Sequence, residues 1–116
     1  MPVLNFQPRF VSLVASGAKR QTIRRPWKRP PRVGQTLYFY VGTRTPACWK
    51  IGQAECLSVQ TVAFDGVGVV RVDDELVPSE GLDAFAREDG FANWREMERW
   101  FSKHYGLPFD GILIRW

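Results

Sequence analysis

Apolar residues fall into short clusters whose spacing switches between the two-residue period of strands and the longer period of helices. Val3–Phe6 is an apolar run that predicts an opening strand. Gln7-Pro8-Arg9 then leads into a helix, since proline suits a first turn where its missing N–H would have no partner. Phe10, Leu13 and Val14 occupy i, i+3 and i+4 of that helix, and Gly17 stands where a C-cap belongs. Gln21–Arg25 reads as a strand, with Ile23 facing opposite to Thr22 and Arg24. Between Arg25 and Arg32 three prolines remove backbone donors and exclude regular structure, so an exposed loop is expected. Thr36–Val41, rich in aromatic and β-branched residues, is a strand, and Gly42–Pro46 a turn. Trp49–Val62 holds one or two further strands and Gly68–Val72 another. Asp73-Asp74-Glu75 interrupts as a solvated turn before Leu76-Val77 and Pro78.

The second half turns helical. Leu82–Glu88 is a short helix with Leu82, Phe85 and Ala86 on one side. Asn93 offers an N-cap with Glu96 three residues on, the spacing of a capping box. The helix that follows carries Trp94, Met97, Phe101 and Tyr105 along one face, with Arg95, Glu98, Arg99 and Ser102 largely outside. Asp110-Gly111 precedes a last strand, Ile112–Trp116. Strands interrupted by helices, with a final strand returning to the sheet, predict one α+β domain over residues 1–116, built on a curved or barrel-like sheet.

Composition narrows the class. A chain of 116 residues, 45% of them hydrophobic, is one domain with enough apolar surface for a core. A multidomain enzyme, a disordered chain, a collagen-like fibre and a coiled coil are excluded. No apolar run approaches the roughly 20 residues of a bilayer span, and the N-terminus lacks a basic-then-apolar signal, so a soluble cytoplasmic protein without a membrane partner is expected. Cys48 and Cys56 read as reduced thiols, and with a single histidine they make a zinc site improbable; no cofactor is called for.

The net charge of +4 favours anionic partners, and its distribution sharpens that. Lys19, Arg20, Arg24, Arg25, Lys28, Arg29 and Arg32 are seven of the sixteen basic residues, with no acid among them and Trp27 inside the cluster. Positive charge beside a flat aromatic ring suits a phosphate backbone and an unpaired base. The plainer reading is a solvated loop; prolines that hold the charges extended favour binding.

Within this stretch, Lys19 follows a glycine cap at an element junction, where its amine can point into a cleft. Nearby cations and burial favour its neutral form, which can serve as a general base. Thr22 and Arg24 share a strand face, and Arg24, always protonated, suits anion or carbonyl recognition.

Leu4-Asn5-Phe6-Gln7-Pro8, an amphipathic helix, and the Gly-x-Lys-x-x-Thr-x-Arg pattern at Gly17, Lys19, Thr22 and Arg24 resemble the ASCH domain of the PUA-like superfamily. Val33-Gly34-Gln35-Thr36-Leu37 is similar to that family's glycine turn into its next strand, and Ala86–Phe91 to its C-terminal half. The resemblance implies a PUA-like curved β-barrel of about five to six strands with two or three flanking helices. Short members of the family resemble bacterial N(4)-acetylcytidine amidohydrolases, whose catalytic set is a lysine, a threonine and an acid. By that resemblance Lys19 is the base, Thr22 the nucleophile or water positioner, and Asp89 the acid partner. Those enzymes carry glutamate at the acid position, and Glu88 stands next to Asp89. An aspartate, one methylene shorter, needs either a closer backbone or an intervening water.

The expected substrate is an N-acylated cytosine nucleoside, with Arg24, Arg25, Trp27, Tyr40 and Glu55 as substrate-binding candidates. Tyr40 shares a strand face with Tyr38, and Glu55 lies on a strand within reach of a cleft. Trp94, Trp100 and Trp116 are expected to pack, and His104 to sit at a helix C-terminus without catalytic role. Two other readings use the basic 19–32 segment: a module that binds single-stranded RNA without chemistry, and a ribonuclease.

Overall fold

The structure, a computed structural model, describes every residue from Met1 to Trp116. Its strands are β1 (Val3–Phe6), β2 (Gln21–Arg24), β3 (Thr36–Val41), β4 (Trp49–Glu55), β5 (Ser58–Gly66), β6 (Val69–Val72), β7 (Glu75–Leu76) and β8 (Phe109–Arg115). The helices are α1 (Val11–Ser16), α2 (Leu82–Glu88) and α3 (Trp94–His104). The chain is thus α+β, with no helix long and apolar enough to cross a membrane.

Strand alternation decides how the sheets face. On β3, Leu37, Phe39 and Val41 are buried while Thr36, Tyr38 and Tyr40 stay half-exposed on the other face. β1 pairs parallel with β3 and β4 antiparallel with it, giving a three-stranded sheet. The other five strands form an antiparallel sheet in the order β2-β8-β5-β6-β7. Trp116, just past β8, joins the two: its ring packs 4.7 Å from Phe39 and 6.0 Å from Phe6, centroid to centroid. α3 covers the five-stranded sheet, with the Phe101 ring tilted against Phe64 at 4.7 Å and Met97 fully buried. Asn93 caps it as its spacing predicts, its side chain accepting from the Glu96 N–H at 2.9 Å.

Eight strands replace the expected five to six, and hydrogen bonding does not close them into one barrel. The apolar stretch from Trp49 onward is two strands because the chain changes sheets at Cys56-Leu57. There the Cys56 N–H bonds the Gln35 carbonyl in one direction and the Leu57 N–H bonds the Arg115 carbonyl in the other. Asp73 and Asp74, both with positive φ, form a two-residue turn, so Glu75 belongs to β7 and not to the turn. β8 starts at Phe109, since Phe109, Asp110 and Gly111 pair with Phe64, Ala63 and Val62. Pro8–Phe10 form a single 3-10 turn before α1, and Gly17 caps α1 at φ +83. Cys48 and Cys56 are unbonded thiols, one exposed and one buried.

Candidate active site

Three backbone features bring Lys19 indoors. The left-handed Gly17 ends α1, the Lys19 N–H returns to the Leu13 carbonyl at 3.0 Å, and the Arg20 N–H bonds the Glu88 carbonyl at 2.8 Å. The last of these ties the start of β2 to the end of α2. Lys19 is only 2% exposed, one of the largest fully buried side chains in the protein. Its ammonium donates to the Asp89 backbone carbonyl and to Asp89 Oδ2 at 3.3 Å, and lies 4.7 Å from the centre of the Phe10 ring.

Lysine reaches the main-chain carbonyl of Asp89 as well as its carboxylate. Gly90, at φ +94, makes room for this: a Cβ there would stand 3.2 Å from both Lys19 Cδ and the Phe10 ring. Glu88, more than half exposed, points instead towards Arg115 at 3.9 Å. Position 89 therefore faces the lysine and position 88 does not.

Lys19, Thr22, Arg24 and Asp89 line one cavity of about 200 Å³. Phe6, Phe10, Phe91, Trp100, Phe101 and Tyr105 form its aromatic walls, with Asn5 and Gln7 also lining it. Arg24 Nε donates to Thr22 Oγ1 at 3.0 Å, and Nη2 to the Asn5 carbonyl at 2.8 Å, above the face of Phe6. Gly111 keeps this strand close, since any Cβ there would run into the Arg24 carbonyl. The Thr22 hydroxyl, already an acceptor, keeps its own proton free to donate. Lys19 makes its hydrogen bonds to Asp89 and none to Thr22.

Burial governs the titration of the pair. It pulls the Lys19 amine below its ordinary value, against the attraction of Asp89, and the cations Arg24 and Arg9 pull the same way. Burial likewise pushes the Asp89 carboxyl up, against Lys19, the Gln21 hydrogen bond and Arg24. The two shifts converge, which lowers the cost of passing the proton from amine to carboxylate. Burial also draws the Arg24 guanidinium down from its ordinary value, yet arginine stays charged at any working pH.

The remaining candidates lie elsewhere. Arg25 sits over the Tyr105 ring at 4.8 Å, at the edge of the cavity. Trp27 lines a different cavity with Arg29, Arg32 and Gln35. Tyr40 is on the outward face of β3, opposite Asn5 and Lys50 in register, because Phe39 and Val41 take the inward positions. Glu55 is exposed at the end of β4, outside the cavity. Trp116 packs in the core; Trp94 packs against it; Trp100 packs and also forms a cavity wall. His104 stacks on Trp100 at 4.1 Å, its Nδ1 2.9 Å from the Trp100 carbonyl.

Sequence reasoning missed Gln21, which is fully buried and donates to Asp89 Oδ1 at 3.2 Å while accepting from Arg115 Nε at 3.3 Å. Strand alternation puts Gln21 opposite Thr22, so only the position of α2 reveals its role. Tyr105 was expected in the core face of α3; at the C-cap its ring stacks on Phe109 at 4.6 Å and reaches the cavity. No group of three or more His, Cys, Asp or Glu side chains is placed to hold a metal ion.

Set against known proteins, the chain matches no family model, no curated protein and no solved structure.

Proposed function

We propose that this protein is an amidohydrolase that removes the acyl group from N(4)-acetylcytidine or a related N-acylated cytosine nucleoside. The observation that carries the reading is the buried Lys19–Asp89 pair opening, beside Thr22 and Arg24, onto an aromatic-walled cavity. Burying two charges costs more than their attraction returns in most interiors, so such a pair in a cavity points to chemistry rather than stability. The aromatic walls suit a flat base, and the motif resemblance to the ASCH family supports the same substrate class. On this reading the two sheets joined through Trp116 are an open form of a PUA-like curved barrel. The exposed free thiol of Cys48 fits a reducing compartment such as the cytoplasm.

The mechanism uses the neutral amine of Lys19, formed when its proton passes to Asp89 within the pair. That amine takes a proton from a nucleophile in the cavity. Because Lys19 and Thr22 share no hydrogen bond, the nucleophile is a water held by the Thr22 hydroxyl, which donates to it. The oxygen attacks the acyl carbonyl, and the oxyanion is stabilised by the Arg24 guanidinium. When the C–N bond breaks, the Lys19 ammonium returns its proton to the departing N4 amine. Water and amide are consumed; cytidine and the carboxylic acid are released.

The test is to incubate purified protein with N(4)-acetylcytidine and with a short unmodified RNA. Release of cytidine and acetate supports the amidohydrolase. Shortened RNA without cytidine makes the protein a ribonuclease, and neither product makes it a binding module.

A further inference from the structure

The second cavity, about 610 Å³ and lined by Trp27, Arg29, Arg32 and Gln35 among others, has no part in the chemistry above. The loop that forms it is anchored. Pro31 is buried, the Arg32 N–H donates to Gln35 Oε1 at 2.8 Å, and the Gly34 N–H bonds the Cys56 carbonyl at 2.8 Å. Trp27 is half-buried against the core, so its ring is held in place beside the cavity.

The charges on this loop are unmatched. Arg25, Lys28, Arg29 and Arg32 form no ion pair with any carboxylate, and unlike the other unpaired cations, such as Arg44 and Arg99, they are gathered within one short loop. A solvated loop needs no such accumulation, which repels itself unless an anion is present. The charges are also continuous with the first cavity: Arg24 is in its lining, Arg25 over Tyr105 at its edge, and Trp27 two residues further on. Three residues of chain span at most about 11 Å between Cα atoms, so Trp27 begins the second cavity close to where Arg24 leaves the first.

We propose that the Arg25–Arg32 loop is a second binding site, for a nucleobase against Trp27 and its phosphate against Arg29 and Arg32. The acylated cytidine then reaches the first cavity as part of a single-stranded RNA. A free nucleoside carries no phosphate for these cations, and an aromatic ring beside them suits an unstacked base. This substrate assignment rests on the amidohydrolase reading, whereas the binding site itself does not.

Two measurements separate the site from the reading. The first is equilibrium binding of a short unmodified single-stranded RNA across a salt series. With three to four phosphates neutralised, log affinity should fall by roughly 2 to 3 per tenfold rise in salt. Arg29→Ser with Arg32→Ser should reduce that slope by about 1.4, and Trp27→Ala should weaken binding roughly 5- to 150-fold. Absent binding at low salt, a flat salt response, or variants that bind like the parent would overturn the site. The second compares kcat/KM on N(4)-acetylcytidine, on its 5′-monophosphate and on a short RNA containing it. The RNA should exceed the nucleoside by roughly tenfold or more, the worth of one charge-assisted hydrogen bond, and the ratio should fall towards one in the double arginine variant. A monophosphate as good as the RNA, or a ratio of one in the parent, overturns delivery on a strand. If nothing is deacylated yet RNA binds through the loop, the hydrolase reading and RNA delivery both fail, and the loop site stands.

Discussion

Asp89 and Lys19 are 70 residues apart in the chain, yet the Lys19 ammonium meets both the carboxylate and the backbone carbonyl of Asp89 inside one cavity. Contact with the main chain as well as the side chain means that the acid is delivered by the end of α2, not by its own length. Helix placement is therefore part of the geometry of the cavity.

Lys19→Met should abolish turnover, because no other amine lines the cavity. It should also destabilise by about 3 kcal/mol or somewhat less, since an unpaired buried carboxyl takes up a proton to escape its charge. Lys19→Met combined with Asp89→Leu should be as stable as the parent or more so, by about 1–4 kcal/mol, and equally inactive. Urea unfolding and a product assay check both; turnover by a folded Lys19→Met protein removes the assigned base.

The pH dependence follows from the two shifts. Lys19, lowered from 10.5, loses its proton earlier in the folded than in the unfolded chain, so its contribution to stability rises with pH between the lowered value and 10.5. Asp89, raised from 3.8, keeps its proton longer when folded, so its contribution falls as pH rises from 3.8 to the raised value. Relative to the Met/Leu double variant, the parent should show a stability minimum at intermediate pH. A maximum there contradicts the burial argument. Turnover should rise with pH to a plateau whose midpoint lies below 10.5.

Gly90→Ala should damage the site more than Gly34→Ala. Both residues have φ near +90, but a Cβ at 34 meets nothing within 4 Å while one at 90 meets Lys19 and Phe10. The shared backbone strain costs about 1–3 kcal/mol in each. The difference should appear in kcat, which falls in Gly90→Ala and holds in Gly34→Ala.

Gln21→Leu leaves Asp89 Oδ1 and the Arg115 Nε–H without their partner and should cost about 1–3 kcal/mol. Because the Gln21 hydrogen bond favours the ionised carboxylate, its loss should raise the Asp89 pKa further and shift the pH–rate profile. Loss of stability with an unmoved profile would assign Gln21 to packing alone.

Tyr105→Ala should raise KM, since its ring forms part of the cavity wall. Tyr40→Phe and Glu55→Gln should leave KM and kcat alone, because both side chains lie outside that cavity. A steady-state comparison of the three variants checks the boundary of the site.

Much of this was legible locally. Asn93 with Glu96, Pro8 near the start of a helix and Gly17 at its end are short-range signals, and each element appears where its residues point. β-strand periodicity correctly put Thr22 and Arg24 together, and Arg24 does bond Thr22. The same periodicity misled at Tyr40: it showed which residues share a face but not which face the cavity occupies. Gln21 went unseen for the converse reason, since its partners Asp89 and Arg115 come from α2 and β8.

The chain by itself determined the alternation of strand and helix, the caps, and the lysine–threonine–arginine spacing, all of which depend on neighbours a few residues apart. Tertiary structure decided that the strands form two sheets, that Asp89 and not Glu88 faces Lys19, and that the pair is almost wholly buried. The reason is physical: φ/ψ preference and periodicity act over one or two turns, whereas desolvation and charge pairing depend on segments brought together only by folding.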